Sequence, residues 1–433
     1  MAGMIYGDSL YGSALPNANV YKDKDDLRGR SRSRSSDPES SSMLFPPVVN
    51  STRAWLLAPP RSYKRVGKYL LILFAAIISI TFLLPLSGFH PGRVGEYIYP
   101  FGSLPESRVG ELRDTLAGYK YRGDECNISS LDLHMPLGVV CSDRGSMLTA
   151  MSSGGRIGRD APYIPRGCDM QWFSTWEVCE ILGRYSQVIL VGDSMLRHVI
   201  GALNVLIRED LGYGGVTDWN FSEEEKRKCF CNKQFDVRDC SIQCIFSTAD
   251  VIQHDPLSLM CPKMIPDWNT DLRIELIVRH PIPADERRRF KKEIDSNPLQ
   301  RKAFVLGHGL WNNLEVDQAV RWLDDVLDMI EPRTGARTRL RGRSPRKNLP
   351  VLLMTPNAAG EKKPDEWLVS QGNKAMVRFE HAMAVQAAKR RVDHLGTWNM
   401  SIQATLYDGV HMDMRGNLVK AMMVLNWLNL LDA

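Results

Sequence analysis

The first 125 residues of this 433-residue chain contain no cysteine, whereas the remaining residues contain nine. The chain also lacks a strong excess of either charge. Its 55 basic and 50 acidic residues leave a net charge of +5, which is too small for this length to indicate a nucleic-acid partner. No internal repeat is found. Outside the cysteines no cluster has the spacing of metal ligands, so the sequence gives no reason to expect a metal or another cofactor.

Charged residues are missing entirely between Tyr69 and Leu86, over eighteen positions. That length is near the short end for a membrane-spanning helix, and a buried core helix is rarely apolar on every side. Basic residues precede the stretch, at Arg61, Lys64, Arg65 and Lys68. By the positive-inside rule the N-terminus is cytosolic. We therefore expect a single-pass type II membrane protein whose larger part faces the lumen of the Golgi or the endoplasmic reticulum.

Four segments follow from this topology. Residues 1–60 are predicted to be a disordered cytosolic tail, 61–86 a basic flank and transmembrane signal anchor, 87–120 a stem, and 121–433 a lumenal domain. The tail carries an Arg/Ser run at residues 28–36, which could bind RNA or be phosphorylated. A solvated tail is the simpler interpretation, so no nucleic-acid partner is expected.

All nine cysteines lie on the lumenal side of the predicted span, where the compartment is oxidising. They can form up to four disulfides with one thiol left over, and their connectivity cannot be read from the sequence. Cys229 and Cys231, followed by Cys240 and Cys244, also have a spacing that resembles a zinc site; in the lumen disulfides are the preferred interpretation. Sequons on the same side predict glycosylation at Asn127, Asn220 and Asn399.

The most informative stretch runs from residue 185 to residue 206. Val188–Val191 is a short apolar run typical of a buried strand, and Gly192 ends it. Apolar residues then recur at helical spacing, at Met195, Val199, Leu203 and Leu206. Ser194 therefore lies at a strand-to-helix corner, where backbone N–H groups are unpaired. Position 196 is leucine, which excludes the Gly-x-Ser-x-Gly nucleophile elbow of α/β-hydrolases.

Further apolar runs alternate with helical patterns along the chain. Candidate strands are Ile242–Ser247, Ile274–Val278, Ala303–Leu306 and Pro350–Met354, and candidate helices are Val316–Ile330 and Lys374–Arg390. This alternation predicts an α/β fold in which helices cover both faces of a parallel sheet.

A second element that fits Ser194 lies near the C-terminus. Asp408 precedes His411 by three residues, on a predicted loop that enters the final helix. A serine needs a base within hydrogen-bond reach and a carboxylate behind that base, so Ser194, His411 and Asp408 are candidates for a catalytic triad. Another Gly-Asp-Ser occurs at residues 7–9, but no apolar strand precedes it and no helix pattern follows.

With Gly-Asp-Ser and Asp-x-x-His together, the chain resembles the SGNH (GDSL-type) hydrolase superfamily, and within it the PC-esterase group that includes the plant trichome-birefringence-like proteins. The resemblance covers roughly residues 165–431. It implies an α/β/α sandwich, a nucleophilic Ser194, and a triad completed by Asp408 and His411. It also implies an oxyanion hole formed by the Ser194 N–H and an asparagine after a central strand, for which Asn312 is favoured over Asn313, with Gly309 allowing the chain to turn. His198 either lines the pocket or is a structural histidine.

The function expected from this resemblance is acyl transfer through a serine ester. With water as acceptor the protein is an esterase, and with a sugar hydroxyl it is an O-acyltransferase; the same triad serves both. The lumenal location and the resemblance favour a glycan or another acyl ester, most simply an acetyl ester, as substrate. The alternative is a catalytically inactive glycan-binding or scaffold membrane protein that retains the motif.

Overall fold

The computed structural model describes residues 113–295, 301–330 and 349–431. The predicted tail, the predicted membrane span at residues 69–86 and most of the predicted stem lie outside these ranges. Within the described ranges, no helix combines the length and the hydropathy needed to cross a membrane.

Five parallel strands form one sheet. They are β1 (Gln187–Gly192), β2 (Asp271–Leu276), β3 (Lys302–Gly307), β4 (Val351–Met354) and β5 (Asp393–Leu395). Their order is β2-β1-β3-β4-β5, and every neighbouring pair is parallel. The strand order reverses between β1 and β3, and in such sheets the crevice at the carboxyl ends of these two strands is the usual ligand position.

Helices connect and cover the strands. Those of the described residues are α1 (Ser130–Leu133), α2 (Arg144–Ser153), α3 (Thr175–Gly183), α4 (Ser194–Arg208), α5 (Glu223–Lys228), α6 (Lys233–Asp236), α7 (Arg238–Ser241), α8 (Thr248–His254), α9 (Cys261–Met264), α10 (Ala284–Asp295), α11 (Val316–Ile330), α12 (Asp365–Gln371), α13 (Asn373–Arg390), α14 (Trp398–Ser401) and α15 (Met414–Asn429). Short 3₁₀ turns occur at Asp218–Asn220, Pro256–Ser258 and Leu310–Asn312.

Alternate residues of each strand enter two separate cores. From β1, Val188 and Leu190 pack with α4 and α15, whereas Ile189 and Val191 pack on the opposite face with α10, α11 and α13. All six residues of β1 are buried, as are all six of β3. Burial on both faces explains why these strands are continuous apolar runs in the sequence. The predicted α/β sandwich with a parallel sheet is confirmed.

Most predicted elements match. Strands β1, β3 and β4 and helix α11 lie where they were expected, and α13 begins one residue earlier. The predicted strand Ile242–Ser247 is wrong. This segment makes only isolated bridges, from Cys244 to Val216 and from Ser247 to Arg273, and Ser247 then caps α8 through a capping box with Asp250.

The globular part begins before residue 121. Leu116 and Tyr119 belong to the predicted stem, yet both are buried in the core that contains α4 and α15. The Tyr119 hydroxyl also lies 3.0 Å from Thr175 Oγ1 at the start of α3.

Four disulfides join the cysteines in pairs: Cys126–Cys231, Cys141–Cys168, Cys179–Cys261 and Cys229–Cys240. Cys244 is a buried free thiol, so the prediction of four bridges and one leftover thiol is confirmed. The zinc interpretation is wrong, because Cys229 and Cys231 are each bonded to a different partner.

Candidate active site

The corner after β1 is built around a close approach of two strands. A side chain at Gly192 would place its Cβ 2.2 Å from the backbone oxygen of Gly307, at the end of β3, so only glycine fits there. Asp193 is extended and caps α4, accepting a hydrogen bond from the Met195 N–H at 3.0 Å. Ser194 is the first residue of α4, and its N–H is among the four that a helix leaves without an internal partner.

The second half of the site is a tight loop that precedes α15. The Tyr407 N–H donates to the His411 carbonyl at 3.1 Å, and Leu406 bridges to Met412. Gly409, at the tip, has a φ of +84°, and a Cβ there would lie 2.2 Å from the Lys363 nitrogen. The turn therefore requires glycine.

The structure brings Ser194, His411 and Asp408 into one hydrogen-bonded chain. Ser194 Oγ lies 2.6 Å from His411 Nε2, and His411 Nδ1 lies 2.7 Å from Asp408 Oδ2. The other oxygen of Asp408 accepts from the backbone N–H groups of His411 at 2.8 Å and Val410 at 2.9 Å. Three residues from two distant parts of the sequence thus have the geometry of a serine nucleophile, its base and the carboxylate that orients the base.

The protonation states follow from these contacts. Burial raises the pKa of Asp408, but hydrogen bonds from the ring and backbone of His411 and from the Val410 N–H lower it to about 2. An ionised carboxylate can only accept, so the proton between Asp408 and His411 is on Nδ1. In the neutral ring that a general base requires, Nε2 is then the lone-pair acceptor for the Ser194 hydroxyl.

His198 lies directly behind the triad. Its ring is buried, with its centroid 4.9 Å from that of His411, and it stacks on Tyr407 at 6.3 Å. Burial lowers the pKa of His198 well below the usual value, and protonation of the neighbouring His411 lowers it further. A neutral His198 therefore packs against the base without competing for its proton.

A small cavity of about 10 Å³ lies under the corner, lined by Asp193, Lys420, His308, Gly307 and Thr355 among others. Lys420 is almost fully buried in the middle of α15. Burial lowers its pKa to about 7, against the attraction of Asp193. Burial also lowers the pKa of His308 to about 4. The residue before the nucleophile thus faces a buried amine.

The two candidate oxyanion asparagines each make a side-chain hydrogen bond. Asn312 donates through its side-chain amide to Gln318 Oε1 at 3.0 Å, and Asn313 Oδ1 accepts from Gln371 Nε2 at 3.1 Å. Gly309 has a φ of +154° and, as expected, allows the turn; a Cβ there would lie 2.8 Å from the Phe379 ring. An oxyanion hole formed by the Ser194 N–H and Asn312 stays a prediction.

Two residues of the site were missed in the sequence. Asn357 follows β4 and donates through Nδ2 to the Val410 carbonyl at 2.9 Å, inside the Asp408–His411 loop. Lys420 could have been noticed in the sequence, because it is the one charged residue in the apolar stretch from Leu418 to Leu428. Asn357 could not, since its partner is 53 residues away.

The three predicted glycosylation sites differ in their surroundings. Asn127 and Asn220 are exposed. Asn399 is half-buried in α14, and its amide nitrogen, the atom to which a glycan is attached, donates to the Ser152 carbonyl at 2.8 Å. Of the three side chains, those of Asn127 and Asn220 are available for modification.

No protein-family model matches the chain, and a search of curated proteins finds no match. Among solved structures, the chain is similar to Est24, a carbohydrate acetylesterase from Sinorhizobium meliloti, at 12% identity over 55% of this chain and 96% of that one, with a TM-score of 0.29. A carbohydrate acetylesterase family member from the same organism gives 12% identity over 55% and 93% of the two chains, with a TM-score of 0.26. Identities and TM-scores this low establish no shared activity, which has to be argued from the site.

Proposed function

We propose that this protein is a serine-dependent acyl-ester hydrolase or O-acyltransferase that acts on acylated carbohydrates, most simply acetylated ones. The observation that carries the proposal is the hydrogen-bonded chain from Ser194 through His411 to Asp408. It supplies the nucleophile, the base and the orienting carboxylate that acyl transfer needs.

The reaction would run in two halves. Ser194 Oγ attacks the ester carbonyl while His411 Nε2 takes the hydroxyl proton, and the negative oxygen that forms is stabilised by the Ser194 N–H. The intermediate collapses to an acyl-serine, and the leaving alkoxide receives the proton from His411. Water or a sugar hydroxyl then loses a proton to Nε2 and attacks the acyl-serine, and the bond to Ser194 Oγ breaks as Nε2 returns the proton to that oxygen. Water gives an ester hydrolase and a sugar hydroxyl gives an acyltransferase.

We further propose that the chain is a type II membrane protein of the secretory pathway, anchored by residues 69–86. Nine cysteines after residue 125 and four disulfides support an oxidising compartment. In sealed microsomes, added protease should remove only about the first sixty residues, and glycosidase should increase the mobility of the protected remainder. Digestion of the large domain, with protection of the tail, would reverse this topology.

The catalytic proposal is tested by covalent labelling of the full-length protein with a fluorophosphonate. The unaltered protein should be labelled, and Ser194→Ala should not. The matched control is Ser9→Ala, which removes the serine of the other Gly-Asp-Ser triplet and should label normally. Equal labelling of Ser194→Ala and the unaltered protein would remove Ser194 as the nucleophile. If a folded, unaltered protein is not labelled at all, the inactive glycan-binding function takes precedence.

A further inference from the structure

Arg197 lies one turn along α4 from Ser194. Residues three apart on a helix share a face, so the two side chains are neighbours. The backbone N–H of Arg197 donates to the Asp193 carbonyl at 3.1 Å, which ties its position to the same corner that holds the nucleophile. Its charge acts on His198 and Tyr407, whose rings pack against His411.

The guanidinium of Arg197 has no protein partner among the described residues. Its Nε is inaccessible to solvent and makes no hydrogen bond, and no carboxylate of the described ranges forms an ion pair with it. Burying an ionic donor without an acceptor is unfavourable, because the lost hydration is not replaced.

Arg208, on the same helix, shows how a structural arginine is accommodated in this fold. Its guanidinium is almost fully buried and donates to Ser258 Oγ at 2.9 Å, Asp218 Oδ1 at 3.0 Å and Asp255 Oδ2 at 3.1 Å. Arg197 has none of these acceptors. Its side chain is partly exposed, and its terminal nitrogens, which have no protein partner among the described residues, are the atoms that a ligand can reach.

We propose that Arg197 recognises an anionic group on the substrate, and that the preferred substrate is an acyl ester of an acidic carbohydrate carrying a carboxylate. A guanidinium presents a planar fork that matches a carboxylate with two parallel hydrogen bonds. The inference rests on the proposed function, since it places the carboxylate of the substrate one helical turn from the nucleophile. Arg197 is in this sense a specificity residue.

The test compares two esters of equal shape, 4-acetoxybenzoate and 4-acetoxybenzamide, which differ in one negative charge. The full-length protein should hydrolyse the carboxylate ester with a kcat/KM about tenfold higher, as expected for a charge-assisted pair, and added salt should reduce this preference. Arg197→Met should abolish the preference by raising KM for the carboxylate ester, with the amide ester changed by less than about threefold. Arg197→Lys should retain part of it, because the charge remains while the fork is lost.

The matched control is Arg288→Met, which removes the same charge from an exposed position on α10, against the opposite face of the sheet. It should keep the preference. Equal losses on both esters in Arg197→Met would show a structural role and overturn the inference, as would the absence of any anion preference in the unaltered protein. If Ser194→Ala hydrolyses neither ester, the proposed function stands whether or not Arg197 sets the preference. Unchanged hydrolysis by Ser194→Ala would overturn the proposed function itself.

Discussion

The side-chain amide of Asn357 donates to the backbone carbonyl of Val410 across 2.9 Å, and so joins the end of β4 to the loop that carries the base. A second bond, from the Gly360 N–H to the Gly409 carbonyl at 3.0 Å, runs between the same two segments. The position of His411 relative to Ser194 therefore depends on a residue that touches neither of them.

Asn357→Ala should lower kcat with little change in KM. Removing the amide leaves the Val410 carbonyl unpaired and frees the loop, and a misplacement of about 1 Å at a reacting group costs roughly 100-fold in rate. Steady-state kinetics on an acetyl ester measures the changes in kcat and KM separately. The control is Asn204→Ala, in which a buried amide bonded to the Ile200 carbonyl within α4 is removed without touching the loop. A kcat that is equally low in both variants would point to general destabilisation.

Ser194→Ala, His411→Ala and the double variant should have nearly the same residual activity. Nucleophile and base act as a unit, so the first loss removes roughly 10⁴-fold or more of the rate and the second adds little. Turnover of an acetyl ester by the three purified proteins checks the expectation. Effects that multiply would mean that the two residues act in separate steps.

Lys420→Met should stabilise the protein more at pH 7 than at pH 10. Burial lowers the pKa of Lys420 from 10.5 to about 7. Between these values the unfolded chain holds a proton that the folded chain has released, so the free energy of unfolding rises with pH in this window. Each pKa unit corresponds to about 1.4 kcal/mol, so the variant should lose a pH-dependent change of a few kcal/mol in the free energy of unfolding.

Urea denaturation of the two proteins at both pH values measures the difference. Lys374→Met, at an exposed position on α13, should leave the pH dependence unchanged. If Lys420→Met differs in stability from the unaltered protein by the same amount at pH 7 and pH 10, Lys420 is not the source of the pH dependence.

Replacing Cys179 and Cys261 together with alanine should destabilise the domain more than replacing Cys229 and Cys240. The first bridge closes a loop with a sequence separation of 82 and the second one of 11. The chain-entropy relation gives about 4.5 and about 3 kcal/mol for these loops. The denaturation midpoints of the two double variants are compared. Cys244→Ala is the control, because it removes a buried sulfur that forms no bridge. The reverse order of stability would show that native contacts outweigh loop closure.

Local patterns were sufficient where one element buries a continuous apolar run. Residues of β1 and β3 are buried on both faces, and α11 has an apolar stripe that enters one core, so periodicity located all three. The run from Ile242 to Ser247 has a similar composition but lies where no strand continues the ladder, and Ile242 remains 39% exposed. The composition of a segment does not show whether a neighbouring strand is available to pair with it. β5 (Asp393–Leu395) was missed because a strand of three residues, two of them polar, is too short to give an apolar pattern.

The triad residues were identified because their motifs are local, whereas the groups that support them are joined by distant contacts. Asn357 bonds a loop 53 residues away, and Lys420 meets Asp193 only because α15 packs against α4. The oxyanion assignment to Asn312 relied on motif spacing and stays a prediction, and the bond from its side-chain amide to Gln318 on α11 could not be read from the sequence. Side-chain partners of this kind depend on the assembled fold.

Ser194 and His411 are separated by 217 positions, and the second of them directly precedes the last described helix. A ribosome therefore produces the nucleophile long before the base that activates it. Throughout synthesis the serine remains an ordinary, unreactive alcohol. The proposed ester chemistry can begin only once α15 has docked, so turnover would report directly that the sheet and the last described helix have assembled.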